Sequence, residues 1–290
     1  MNLIQEYRPH GIAVTDLTAQ LWCEKQLEFS LEHGRRKTQE MQKGKDRHQD
    51  LHEEIAVLVR VEPKCIEDKI ALKLHNCLVG LTRLLREGMT RETPIWGRVN
   101  SLFIVGFIDE LVLNQDKLMI IDTKTRKSDS MPSEAQKRIT RFQMMLYKYL
   151  FNSINEGKFT TKDLLEFYGF NEKNKITKEF QKQINDLGNK IEPNILKLSN
   201  NVFSLIKKFP KIDSNFEIRY ENQNSKKLIG VDKFDFDLPE FKRNCDFVEE
   251  FWLGKRKAIP VGETNKWKCN YCEFNQICQN NVKTLASFTS

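Results

Sequence analysis

The sequence predicts an α/β (α+β) fold, a mixed central sheet flanked by helices, on three observations. Apolar residues recur at helical spacing over roughly the first third of the chain. The period then changes to a β-branched apolar run, Ile95 to Asp109, which a polar turn at Asn114-Gln115-Asp116-Lys117 separates from a second run, Leu118 to Ile121. Helical patterns return from Ser133, followed by a second hairpin signature between Phe216 and Val231.

Taken in order, Thr15 and Asp16 offer N-cap oxygens to a first helix that bears Leu17, Leu21, Trp22, Leu27 and Cys23. A second helix is expected from about Thr38 to Val59, with Met41, His48, Leu51, Ile55 and Leu58 on one stripe, so His48 faces inward. A third runs from about Ile66 to Arg86 and stops at Gly88. Ser133 and Gln136 form a capping box that opens a helix to about Phe151. Residues 155–201, rich in Lys, Asn and Glu, read as a peripheral helical lobe or a mobile linker. Phe216 to Tyr220 and Leu228 to Val231 form the second hairpin, and Asn244 caps a last helix to Trp252. The expected organisation is a single domain, 1–290: N-terminal helices at 15–60, a catalytic core at 90–151, a helical insertion at 152–210, and the second hairpin, helix and cysteine cluster at 211–290.

The 290 residues, 39% apolar and 30% charged, suffice for a buried core and exclude a disordered chain. A net charge of +7 and a pI near 8.9 suit an acidic partner such as nucleic acid, although a lysine-rich solvated surface gives the same charge. Met1 to Val14 carries no apolar leader, and no stretch approaches the roughly 18 apolar residues of a membrane span, so an intracellular protein without a membrane is expected. Seven cysteines, an odd number, favour metal ligation or free thiols over a disulfide framework.

The chemistry concentrates at Gly106-Phe107-Ile108-Asp109 and Ile121-Asp122-Thr123-Lys124. If the turn is centred between Gln115 and Asp116, Asp109 stands directly opposite Asp122. Like charges at that spacing are unfavourable unless a cation lies between them. Strand alternation turns Lys124 to the same face as Asp122. Two carboxylates and a lysine suit metal-assisted phosphodiester cleavage, whereas a salt-bridged surface hairpin is the plain alternative. His48, one helical turn after Gly44, offers an imidazole to such a metal, or is a core histidine. Gln143 and Tyr147 share one face of the following helix. His48-Gln49-Asp50-Leu51-His52 lacks the glutamate of a zinc-protease helix, which excludes that chemistry. Cys269-x-x-Cys272-x5-Cys278 needs a fourth thiol from Cys23, Cys65, Cys77 or Cys245, and spacing does not separate Zn²⁺ from an iron-sulfur cluster. Trp267 and Tyr271 beside these thiols fit a shielded site.

Trp22-Cys23-Glu24-x-Gln26, Gly44-x3-His48, Arg91-Glu92-x-Pro94, Gly106-x2-Asp109-Glu110, Asp122-x-Lys124-Thr125-Arg126, Gln143-x2-Leu146-Tyr147 and the C-terminal cysteines occur in that order. With Phe142 to Tyr149, they resemble the exonuclease V family, the eukaryotic branch of RecB-like nucleases of the PD-(D/E)xK type. The resemblance implies a restriction-endonuclease-like core in which His48, Asp109 and Asp122 surround Mg²⁺ or Mn²⁺. Lys124 is then the catalytic lysine, with Gln143 and Tyr147 as the downstream motif. Relatives commonly carry Glu where this chain has Asp122. The resemblance also implies that Cys23, Cys269, Cys272 and Cys278 hold a 4Fe-4S cluster that joins the two ends. The implied activity is exonucleolytic hydrolysis of single-stranded DNA in repair, by a monomer in the nucleus, mitochondrion or cytoplasm, alongside a single-strand-binding protein. Arg126, Lys127, Lys137, Arg138 and Arg141 are the candidate DNA contacts. A catalytically silent, zinc-stabilised DNA-binding module and a RecB-type nuclease for flaps or spacers are the alternatives.

Overall fold

The computed structural model describes residues 3–56 and 60–278. Its centre is a six-stranded mixed sheet of β1 (Ile12–Ala13), β2 (Met89–Val99), β3 (Leu102–Asn114), β4 (Lys117–Arg126), β5 (Asn215–Asn222) and β6 (Leu228–Asp235). The order is β1-β3-β4-β5-β6, with β2 also on β3. The helices are α1 (Leu3–Tyr7), α2 (Val14–Trp22), α3 (Glu24–His33), α4 (Gln39–Glu53), α5 (Ile66–Glu87), α6 (Glu134–Asn155), α7 (Thr161–Tyr168), α8 (Lys178–Asp186), α9 (Ile195–Ile206) and α10 (Leu238–Trp252), and a 3₁₀ segment (Glu263–Tyr271) closes the described chain. Among the described residues no helix is long and apolar enough to cross a membrane.

The mixed sheet and its flanking helices match the expected class. The run from Ile95 to Asp109 is not one strand: it turns at Asn100-Ser101, where Asn100 takes φ 50°, and pairs antiparallel with itself from Val99↔Leu102 to Met89↔Val112. Apolar residues on both sides of Asn100-Ser101 hide that turn. The β3–β4 hairpin has the expected register, with Asn114↔Lys117 flanking Gln115-Asp116. α5 ends at Gly88, whose φ of 76° only glycine adopts without strain.

The segment expected at the periphery carries α9, whose Ile195, Leu198, Val202, Phe203 and Ile206 are buried against α5 and α6. The final helix begins earlier than expected. Asp237 is its cap, accepting from the Glu240 N–H at 2.7 Å, while Asn244 is buried in mid-helix. The first helix is capped through Asp16, which accepts from the Ala13 N–H at 3.3 Å, and it stops before Cys23, an extended residue between α2 and α3. α4 starts at the expected cap, Thr38, but ends at Glu53; the last part of the expected helix, including Leu58, lies outside the described residues.

Two glycines seat α6 on the sheet. A Cβ on Gly97 would stand 2.6 Å from Leu150, and one on Gly106 would stand 2.9 Å from the Tyr147 ring and 2.8 Å from Val14. Tyr147 and Leu150 are one turn apart on α6, so the helix lies on bare backbone at both points.

Candidate active site and cysteine cavity

The β3–β4 ladder stops at Glu110↔Ile121. Beyond it the strands part: β1 takes the edge of β3 at Ile104 and Val105, while β4 runs on beside β5, Asp122 level with Ile218. Asp109 and Asp122 are the first residues of this fork. On the other side of β3, the β2 register is level at Arg91↔Glu110 and Thr93↔Ile108, so Glu92 stands beside Asp109. Glu92 has φ 51°, a left-handed strand residue whose backbone departs from the pleat. Three adjacent strands thus present Glu92, Asp109 and Asp122 in one row.

Lys124 bridges two of them, its Nζ 2.8 Å from Asp122 Oδ2 and 3.5 Å from Asp109 Oδ2. His48 closes the row from α4, with Nδ1 3.6 Å from Glu92 Oε1 and 4.0 Å from Asp109 Oδ1. Among the described residues, His48, Glu92 and Asp109 form the one set of three or more ligand-type side chains whose donor atoms lie within 4.8 Å of each other. Glu92 therefore enters where the sequence reading put Asp122. It stood in a quoted motif, Arg91-Glu92-x-Pro94, but a positive φ in mid-strand leaves no mark in sequence.

Asp122 is 1% exposed, and neither of its oxygens has a hydrogen-bond donor; the Lys124 contact is an ion pair lying off the hydrogen-bond direction. Buried carboxylate oxygens without donors are uncommon and costly. Burial first, then the Asp109 charge, pushes the Asp122 carboxyl upward against the opposing pull of Lys124. The two acids in turn hold the Lys124 ammonium well above its ordinary value despite burial. The Glu92 hydrogen bond is the main cause that raises His48. This concentration of hard oxygen donors fits a divalent cation.

α4 carries no buried residue and is held by polar contacts. Arg91 of β2 donates to Leu51 O and, at 2.8 Å each, to Glu54 and Glu110; Arg47 donates to Glu221 on β5 at 2.9 Å. A Cβ on Gly44 would stand 3.6 Å from the Thr125 hydroxyl of β4, so this turn of α4 lies close to the strand, one turn before His48. From α6, Gln143 Nε2 donates to the Tyr147 hydroxyl at 3.1 Å, and both residues are buried. Burial, followed by the nearby Asp109 charge, raises the Tyr147 phenol.

A groove runs across this row, lined by His48, Glu92, Asp109, Lys124, Gln143 and Tyr147. Its cations are Lys45, Arg60 and Lys124; none of the five arginines and lysines singled out in the sequence lines it. Arg126 donates to Ser130 O, Lys127 lies 3.5 Å from Glu40, Lys137 is 2.8 Å from Glu134, and Arg138 donates to Asn244. Arg141 spends its fork on buried Asp232, at 2.8 and 2.6 Å. Proximity in sequence to Lys124 and Gln143 places these residues at the end of β4 and the start of α6, away from the acids.

Cys23, Cys269, Cys272 and Cys278 line one cavity with Trp22, Phe29 and Pro260. Cys77 and Cys245 are buried elsewhere, and Cys65 precedes α5. Thiolates around a single tetrahedral Zn²⁺ stand about 3.8 Å apart, yet no three of the four thiols come within 4.8 Å of one another. Four thiols on one cavity suit a thiolate-bound metal group. Tyr271, 82% exposed, does not shield it; Trp267 packs edge-on against Trp22 at 5.5 Å. The two chain ends are also joined without thiols. Buried Glu24 accepts from Arg256 at 2.5 and 2.7 Å and from the Ile259 N–H at 2.8 Å, and Lys268 stands over the Trp22 ring while donating to its carbonyl at 3.2 Å.

A family model described as Exonuclease V, a 5′ deoxyribonuclease, matches residues 3–118, 113–204 and 194–280. The chain is similar to Exonuclease V of Danio rerio, 29% identical over 95% of this chain and 72% of that one. It is 32% identical to the mitochondrial Exonuclease V of Kluyveromyces lactis over 24% of this chain and 13% of that one. A crystal structure of SSO0001 aligns over 93% of this chain and 87% of its own at 15% identity and a TM-score of 0.39, too loose a superposition to carry weight. The chain belongs to the exonuclease V family and is a DNA-hydrolysing nuclease.

Proposed function

We propose that the chain is a single-strand-specific 5′ DNA exonuclease of repair and genome maintenance, acting through one divalent cation at the β3–β4 fork. The observation that supports this most is the row of Glu92, Asp109 and Asp122 on three adjacent strands, with Lys124 and His48 over it. His48, Asp109 and Asp122, joined by Glu92, would hold Mg²⁺ or Mn²⁺. The bound ion supplies Lewis acidity to the phosphate oxygens. Lys124 orients the attacking water and offsets charge that develops on phosphorus. Gln143, through the Tyr147 hydroxyl, fixes the wall of the groove behind Lys124. Lys45 and Arg60 take phosphates near the acids; Arg126, Lys127, Lys137 and Arg138 lie farther along the path, and Arg141 is structural.

Cys23, Cys269, Cys272 and Cys278 would hold a 4Fe-4S cluster, a reading supported by their place on one cavity and by the family resemblance. The chain acts as a single domain and a monomer on single-stranded DNA, with a single-strand-binding protein as its partner. Family resemblance supports the nucleus and the names of fungal relatives support the mitochondrion; fractionation of cells bearing the full chain decides between them. The test of the activity is digestion of DNA labelled at each end, single- and double-stranded, with Mg²⁺, Mn²⁺ or EDTA. Metal-dependent release from the 5′ end of single strands is expected, and equal release from duplex or from the 3′ end overturns the corresponding part.

A further inference from the structure

Phe107 is 41% exposed in the middle of β3, among neighbours such as Ile104, Ile108 and Leu111 that are fully buried. It lies two residues before Asp109, so alternation puts both on the same sheet face, about 6.6 Å apart along the strand. The ring lines the same groove as His48, Asp109 and Lys124. Lys73 of α5 braces it, with Nζ 5.9 Å from the ring centroid, and does not itself line the groove. A large apolar ring left in water costs free energy that an ordinary surface strand avoids with a polar residue.

The groove that Phe107 opens onto carries Lys45 and Arg60 beside the metal-binding acids and Glu53, and an occupant with a flat apolar face and negative charge suits the ring and these cations. An unpaired nucleotide has both, and an aromatic side chain beside a basic groove is a stacking platform for it. We infer that Phe107 stacks a base of the single strand beside the acids, next to the phosphates taken by Lys45 and Arg60. The inference rests on the nuclease reading and deepens it. A base within a duplex is already stacked on both faces, so the ring gives a physical cause for preference toward unpaired DNA.

The test uses the full chain in EDTA, which permits binding without cleavage, and single-stranded oligonucleotides carrying 2-aminopurine at successive positions. Stacking quenches that base, so one position should darken on binding wild type and Phe107→Trp. Phe107→Ala and Phe107→Leu should lose the quenching, and Phe107→Ala should bind single strands about 5- to 150-fold more weakly, with little change for blunt duplex. Phe107→Leu retains apolar bulk, and an unchanged melting temperature excludes unfolding as the cause. Wild-type quenching and affinity in Phe107→Ala would overturn the stacking role while the nuclease reading stands. A wild-type protein that cuts no DNA with Mg²⁺ or Mn²⁺ would instead remove the nuclease reading on which it rests.

Discussion

Asp122 shows at the scale of one residue how the site trades stability for chemistry. Its folded pKa lies above the ordinary 3.8 because burial and Asp109 oppose its charge more than Lys124 favours it. A carboxyl raised on folding contributes stability that is complete below the unfolded value, about pH 4, and is lost as pH rises toward the folded value. The metal-free protein should therefore lose this contribution between mildly acidic and alkaline pH. Asp122→Asn, which cannot ionise, should abolish cleavage yet raise the melting temperature in EDTA at pH 8 by at least about 2 °C, a gain that shrinks toward pH 4. A melting temperature at pH 8 that falls on substitution would contradict this assignment. Glu92 argues differently, from position beside Asp109 and its 3.6 Å contact with His48. Glu92→Gln should weaken Mn²⁺ binding about 10- to 100-fold by calorimetry, with activity partly restored by excess Mn²⁺. Unchanged affinity would leave Glu92 a mere neighbour of His48.

At the scale of elements, a bare strand surface and a polar-latched helix set the geometry of the groove. Gly106→Ala would drive a methyl into Val14 and the Tyr147 ring, moving α6 or the ring away from Lys124. Overpacking of this kind costs about 1–3 kcal/mol; the expected result is a lower melting temperature and a larger loss in kcat than in KM. Equal kinetics in a destabilised variant would confine Gly106 to packing. How much of this was legible depended on what leaves a local mark. A two-residue polar turn between apolar runs announced the β3–β4 hairpin, and its register brought Asp109 level with Asp122. The fork is a property of three strands competing for β3, so it had no signature in the hairpin's own residues. The β2–β3 turn was masked because Arg98, Asn100 and Ser101 are few and apolar residues resume on both sides of them. α4 looked amphipathic from Met41, Leu51 and Ile55, but it has no buried residue, since Arg91 and Arg47 fasten it by charge.

At the scale of the whole molecule, two ties of different chemistry close the chain on itself: the proposed cluster between Cys23 and the C-terminal thiols, and the Glu24–Arg256 pair beside it. Both anchor at the α2–α3 junction, so the junction matters more than either tie alone. Cys23→Ser should remove iron and the broad visible absorbance of the aerobically purified protein, while Glu24 still holds Arg256 and the Ile259 N–H. The central sheet lies elsewhere and should keep its far-ultraviolet spectrum. Protease should then cut within 260–278, where the 3₁₀ segment has lost its anchor, and leave Arg256 attached to the core. Adding Glu24→Gln removes the acceptor charge from a buried site, and truncation of one partner of a buried pair is costly. The double variant should accordingly admit protease as far back as Gly254, and the two losses should not be additive, because the ties share neighbours. A colourless wild-type protein with stoichiometric zinc would refute the cluster. Protease cutting back to Gly254 in Cys23→Ser alone would show that the thiols, not Glu24, secure the C-terminal end.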